Sequence, residues 1–262
     1  MSDFKLPTSP TINVDQSPNN LVIISKPKTG KTSLLAGLPN CLILDFENGS
    51  GFVNAMRVHI ESVDDITKTA EAIAAANFPY EYIGVDTMTA LEDMCVGYAE
   101  TLYSRSPMGK NWFVADTGGK AKYGSIIALP EGSGYHWLRQ AFEKVLSVIQ
   151  KMAPRIVLAG HIKDIFLDKD DNKITSSEID LTGKLKRVIA SKSDSIGYLF
   201  RKKNQTILSF KTSEDVVCGA RPEHLSNREI VVSEKIGDKL YTYWDEIFLD
   251  LDKQPRAPKE EK

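Results

Sequence analysis

A chain of 262 residues, 42% hydrophobic and 26% charged, has the composition of a globular protein with apolar content for a sizeable core. Its net charge of −2 excludes a surface coated in positive charge, so any nucleic-acid contact must be a local patch. Three cysteines (Cys41, Cys95, Cys218) without disulfide or zinc spacing, no charged-then-apolar leader and no apolar run near the ~18 residues of a membrane span predict a soluble cytoplasmic chain.

Residues 1–20 are rich in Pro, Ser, Asn and Thr and lack periodicity, and so read as a flexible N-terminal arm. Its lone aromatic, Phe4, either folds back onto the core or anchors on a neighbouring subunit. The apolar run Leu21–Ile24 then predicts a buried strand, and the loop Ser25, Lys26, Pro27, Lys28, Thr29, Gly30 leads into Lys31-Thr32-Ser33 and an apolar helix. That strand–loop–helix context is the one a G-x-x-x-x-G-K-[ST] pattern requires, although Ser25 stands at the first glycine and Pro27 removes one N–H. Backbone N–H groups of such a loop converge on phosphate, Lys31 reaches the β/γ-phosphates of ATP, and the Thr32 hydroxyl ligates Mg²⁺.

Past the turn at Pro39-Asn40, Cys41–Asp45 predicts a second buried strand ending in Asp45-Phe46-Glu47. An acid at such a strand tip can face the γ-phosphate and activate water; we assign that role to Glu47 and a structural one to Asp45. Ser62 with Asp65 forms a capping box for a helix carrying Ile66, Ala70, Ile73 and Asn77, closed by Phe78-Pro79. Tyr82–Asp86 predicts a third strand whose terminal Asp86 either holds Mg²⁺ or caps the next helix. Trp137, Leu138, Ala141, Phe142, Val145, Leu146 and Ile149 predict an amphipathic helix closing near Pro154, and Arg155–Gly160 a fourth strand. His161 follows it, at the strand end where open α/β sheets bind ligands, as a candidate γ-phosphate sensor.

Strands alternating with helices indicate an α/β domain over 21–245, with a mostly parallel sheet and helices on both faces. The C-terminal third predicts an antiparallel extension of that sheet: a hairpin over Ile165–Ile179 about the turn Lys169–Lys173, then strands at Ser195–Leu199, Thr206–Lys211 and Leu240–Tyr243. Residues 246–262 read as a disordered charged tail. Asp168, Asp170 and Asn172 imitate the start of a Ca²⁺ loop, but Lys173 replaces the required glycine and Ile179 the closing glutamate, so a hairpin turn accounts for them better.

The phosphate loop, the D-x-E after the next strand, Gly84-Val85-Asp86-Thr87-Met88-Thr89-Ala90-Leu91 and the strand ending in Gly160-His161 resemble, in that order, the RecA-like P-loop ATPase core. Tyr123-Gly124, Leu181-Thr182-Gly183-Lys184, Asp194–Arg201, Gly219-Ala220-Arg221-Pro222 and His224-Leu225 extend the likeness over roughly residues 20–232, most closely to short phage-encoded RecA-like ATPases related to single-strand annealing proteins. The resemblance implies ATP hydrolysis with Mg²⁺, stimulated by single-stranded DNA, in recombination, annealing or replication, by a ring or filament of identical subunits in the host cytoplasm, with no membrane. Lys31, Glu47 and His161 would form the catalytic set.

The resemblance also places nucleic acid against the two long loops after the Mg²⁺ and sensor strands. Here those contain Lys110, Trp112, Lys120 and Lys122, then Lys184, Lys186 and Arg187; the bland alternative is a solvated basic face. Arg201, Lys202, Lys203 or Arg221 could reach a neighbouring subunit's γ-phosphate. Two other classes stay open. A ParA/MinD-like or loader-type nucleotide switch without direct DNA binding is suggested by Lys26, although Pro27-Lys28 replaces two glycines of that pattern. A small-molecule kinase would need a lid and an acceptor pocket, neither of which the sequence displays.

Overall fold

The computed structural model describes residues 16–110, 125–166, 174–212 and 216–258. Among them, eleven strands join one sheet. In chain order these elements are β1 (Asn20–Ser25), α1 (Lys31–Ala36), β2 (Cys41–Asp45), β3 (Met56–His59), α2 (Val63–Ala75), β4 (Tyr82–Asp86), α3 (Met88–Ser104), α4 (Ser133–Ile149), β5 (Arg155–Phe166) and β6 (Ile174–Ile179). They continue with α5 (Leu185–Lys192), β7 (Ser195–Lys202), β8 (Gln205–Ser209), β9 (Gly219–Ala220), β10 (Glu229–Ile236) and β11 (Lys239–Thr242).

Across the sheet the order is β3-β2-β4-β5-β1-β7-β8-β10-β11. Every pairing from β3 to β7 is parallel, and every pairing from β7 to β11 is antiparallel. This is the mostly parallel sheet with an antiparallel C-terminal extension that the sequence predicts. The parallel strands are buried on both faces, as continuous apolar runs such as Leu21–Ile24 require. One face packs against α2, α3, α4 and α5 through Ile66, Leu91, Phe142 and Ile189. The other packs against α1 through Leu34 and Leu35, and against Trp244, Ile247 and Phe248.

Local chemistry explains the element ends. Ser62 caps α2 by accepting from the Asp65 N–H at 3.2 Å, while the Asp65 carboxylate takes the Ser62 hydroxyl at 2.7 Å. Thr87 caps α3 in the same way, its hydroxyl accepting from the Ala90 N–H at 3.4 Å.

Four expectations change. β5 does not stop at Gly160; it runs five residues past His161 and pairs with β6, because a hairpin partner supplies hydrogen bonds to the extended backbone. The basic residues Lys186 and Arg187 lie not in a loop but on α5, since Leu185 and Ile189 recur at helical spacing and are buried; β7 follows where the strand at Ser195–Leu199 is expected. The domain also continues past 245: Ile247 and Phe248 are fully buried, and Arg256 pairs with Asp245 and Glu246, where a disordered tail is expected. Ser17, in the predicted arm, is likewise buried and accepts from the Leu249 N–H at 3.0 Å. Phe4, Trp112, Lys120, Lys122 and the turn Lys169–Lys173 lie outside the described residues. Among the described residues no helix is long and apolar enough to cross a membrane.

Candidate functional site

The strand register assembles the site. Ser25 at the end of β1 lies beside His161 on β5, and Asp45 at the end of β2 lies beside Asp86 at the end of β4. The carboxyl ends of four adjacent parallel strands therefore deliver their polar residues to one crevice, the place where open α/β sheets bind ligands.

The loop after β1 enters α1 at Gly30, whose φ of 108° is a left-handed conformation that costs glycine nothing. Thr29 closes a local turn, its hydroxyl donating to the Lys26 carbonyl at 2.7 Å. Lys26, Pro27 and Lys28 are exposed, and Lys26 is ion-paired to Asp164 at 3.4 Å. Lys31, at the first position of α1, is buried; its ammonium donates to the Ser25 hydroxyl at 3.1 Å and lies 3.3 Å from His161 Nδ1. Burial lowers the Lys31 pKa, and the nearby Asp86 and Glu47 carboxylates oppose that shift. Ser25, read as a gap in the glycine pattern, thus serves as a hydrogen-bond acceptor for Lys31. Ser33 lies half-buried on α1.

Thr32, the next residue, donates its hydroxyl to Asp86 Oδ2 at 2.6 Å. Asp86 is buried, and that desolvation raises its pKa; the Thr32 bond opposes the shift, while the Glu47 and Asp45 charges add to it. A buried carboxylate bonded to a hydroxyl is a hard oxygen donor pair of the kind that suits Mg²⁺, which takes few protein ligands and completes its shell with water and phosphate. Thr32 and Asp86 therefore fit the cation expected from the sequence.

The two acids after β2 diverge. Asp45 is buried and turned into its own chain: it accepts from the N–H groups of Glu47 (3.1 Å), Gly49 (3.2 Å) and Ser50 (3.0 Å) and from the Ser50 hydroxyl (2.5 Å). Desolvation pushes its carboxyl up, but these four bonds outweigh it and hold the pKa below the ordinary range. Glu47 instead faces the crevice. Its Oε1 accepts from Thr87 Oγ1 at 2.5 Å and lies 3.2 Å from His161 Nε2.

With the Lys31 ammonium as donor, His161 Nδ1 accepts, which leaves the imidazole proton on Nε2 and directed at Glu47. The result is a continuous chain from Lys31 through His161 to Glu47. Two threonines hold it: Thr87 bonds Glu47 at one end, and Thr89 Oγ1 accepts from the backbone N–H of His161 in its middle at 3.4 Å. The sequence contains no local signal for these threonine contacts, because they depend on the order of the strands.

The basic candidates are scattered. Lys184 is exposed just before α5, Arg187 is exposed on it, and Lys110 is exposed after α3. Lys186 is ion-paired to Glu178, Lys192 to Glu143 and Arg221 to Asp194. Lys202 and Lys203 are exposed at the β7–β8 turn, whereas Arg201 donates through Nε to the Thr29 carbonyl of its own phosphate loop at 2.9 Å.

A family model described as AAA domain matches residues 17–222. No curated protein matches the chain. Among solved structures, the RadB recombinase is 10% identical, over 86% of this chain and 91% of that one, with a TM-score of 0.41. A KaiC-like protein from the hyperthermophilic archaeon Pyrococcus horikoshii OT3 is also 10% identical, over 86% and 90%, with a TM-score of 0.42.

Proposed function

We propose, on the premise that this chain belongs to the AAA domain family, that it is a Mg²⁺-dependent ATPase of RecA-like type that responds to single-stranded DNA in recombination, annealing or replication. One observation carries the nucleotide half of this reading: Lys31, Thr32, Asp86, Glu47 and His161 meet in one crevice through contacts of 2.6–3.3 Å.

In this mechanism the loop 25–33 receives the phosphates, and Lys31 leaves Ser25 and His161 to follow the terminal phosphate. Thr32 and Asp86 would hold Mg²⁺, which when bound would neutralise phosphate charge. Glu47, its oxygen already accepting from two donors, orients and deprotonates the attacking water. His161 touches both Lys31 and Glu47, so it reports to the water-activating acid whether the lysine has been drawn to phosphate. The Lys26–Asp164 ion pair favours this reading over a nucleotide switch, because the lysine on which that alternative rests is engaged within its own chain.

The DNA half rests on Lys110, Lys184 and Arg187, which are exposed and have no carboxylate partner among the described residues, together with Trp112, Lys120 and Lys122 from the segment outside the described residues. Oligomerisation into a ring or filament belongs to the same proposal. The test is ATP hydrolysis at low salt with and without single-stranded DNA, for the wild type and Lys31→Ala. DNA-stimulated turnover that disappears in the variant is expected. Turnover indifferent to DNA, with no DNA binding at low salt, would remove the DNA half and leave the ATPase.

A further inference from the structure

Arg201 is the basic residue whose position differs most from the expectation of a neighbour's phosphate. β7 is the parallel neighbour of β1 on the side away from β5, with Ile24 opposite Tyr198. Arg201 therefore lies three residues beyond that pair, level with the phosphate loop. Leu199 is buried in the cluster that contains Leu34 and Leu35 of α1, and side chains two apart share a strand face, so Arg201 is directed to the α1 side and its loop. Its Nε donates to the Thr29 carbonyl at 2.9 Å, and Nη2 lies 3.0 Å from where a Cβ on Gly30 would stand. The guanidinium lies over the loop at Gly30, where an added Cβ would crowd it.

Charge singles it out further. Lys26, Lys186, Lys192, Lys211 and Arg221 each have a carboxylate partner, whereas among the described residues Arg201 has none. The loop beneath it is short of donors, since Pro27 has no N–H. A guanidinium has five N–H groups in a fixed fork; one is committed to Thr29, and the fork suits phosphate oxygens in bidentate contact.

We propose that Arg201 binds the terminal phosphates of the nucleotide held by its own subunit, replacing in cis the donors that the loop lacks. The proposal rests on the nucleotide reading above. In the bound state Nε keeps the Thr29 carbonyl and the two terminal nitrogens face phosphate, so the arginine both shapes the loop and supplies charge to it.

Isothermal titration of MgATP into the wild type, Lys31→Ala, Arg201→Ala and Arg201→Gln tests this. Arg201→Gln retains a donor for Thr29 but no charge. Both Arg201 variants should lose at least ten-fold in ATP affinity with unchanged melting temperature in the absence of nucleotide, and their affinity should depend less steeply on salt. An equal mixture of Arg201→Ala and Lys31→Ala should hydrolyse ATP no faster than the mean of the two alone. Arg201 variants that bind ATP like the wild type, Arg201→Gln alone binding like the wild type, or a mixture that regains activity through a site shared between subunits, each overturn the cis assignment. A wild type that does not bind MgATP, or a Lys31→Ala variant that binds it equally well, overturns the nucleotide reading instead.

Discussion

At the residue scale, the site holds charge that burial penalises more than its neighbours compensate. Desolvation holds the Asp86 carboxyl above its ordinary value of 3.8, so the folded chain binds a proton more tightly than the unfolded chain. Its ionisation therefore opposes folding: stability falls as pH rises from 3.8 through the raised value, and the cost persists at neutral pH. Lys31 has the mirror-image shift, with its pKa below 10.5, so its charge also opposes folding at neutral pH and the cost is relieved only as pH rises from the lowered value towards 10.5. We expect Asp86→Asn to raise the melting temperature without nucleotide by about 2–4 °C near pH 7, the equivalent of roughly 1 kcal/mol in a chain of this size. The same change should abolish the Mg²⁺ dependence of nucleotide affinity; a melting temperature that falls would refute the account of Asp86 as a strained, functional acid. The environments of Asp45 and Glu47 differ because Glu47, Gly49 and Ser50 turn their N–H groups onto Asp45, whereas the Glu47 carboxylate faces His161. The cis contact of Arg201 with Thr29, 172 residues away, was not legible in the sequence, because it depends on β7 lying next to β1.

At the element scale, what the sequence signals clearly is what is stabilised locally. α2 was legible from Ser62, Asp65 and its apolar spacing, and β4 from a bounded apolar run ending in an acid. α3 was not, although Met88, Leu91, Cys95 and Ala99 are buried at helical spacing, because Glu92 lies on the same buried face and interrupts the pattern. That glutamate is retained by a tertiary contact, accepting from the Thr182 N–H at 2.9 and 3.1 Å, which no local window reveals. β5 was read too short because its extension depends on β6, a partner across a turn. Ser62→Ala removes the cap from α2, and denaturant unfolding should report a loss of about 1 kcal/mol; an unchanged midpoint would show that α2 is held by its packing alone.

At the scale of the whole molecule, the C-terminal segment closes the face of the sheet that α1 covers only in part. Trp244 is fully buried and donates through Nε1 to the Leu34 carbonyl at 2.8 Å, while Tyr82 and Phe248 lie 4.8 Å apart between ring centroids. The charges of 246–262 concealed this, since Ile247 and Phe248 are two apolar residues in a charged stretch and give no periodic signal. Deleting residues 246–262 should cost on the order of 3–6 kcal/mol, the transfer energy of two large buried side chains, and a truncated chain as stable as the full one would restore the tail reading. The fold thus brings the loop 25–33, Asp86 and Glu47 together beside the ends of adjacent parallel strands, and their proposed joint action on MgATP is the central claim. The most direct measurement compares MgATP affinity and turnover for the wild type and Glu47→Gln. Affinity within about three-fold of the wild type with turnover lower by a factor of about 10²–10⁴ is the predicted result. Turnover in Glu47→Gln equal to the wild type would contradict it.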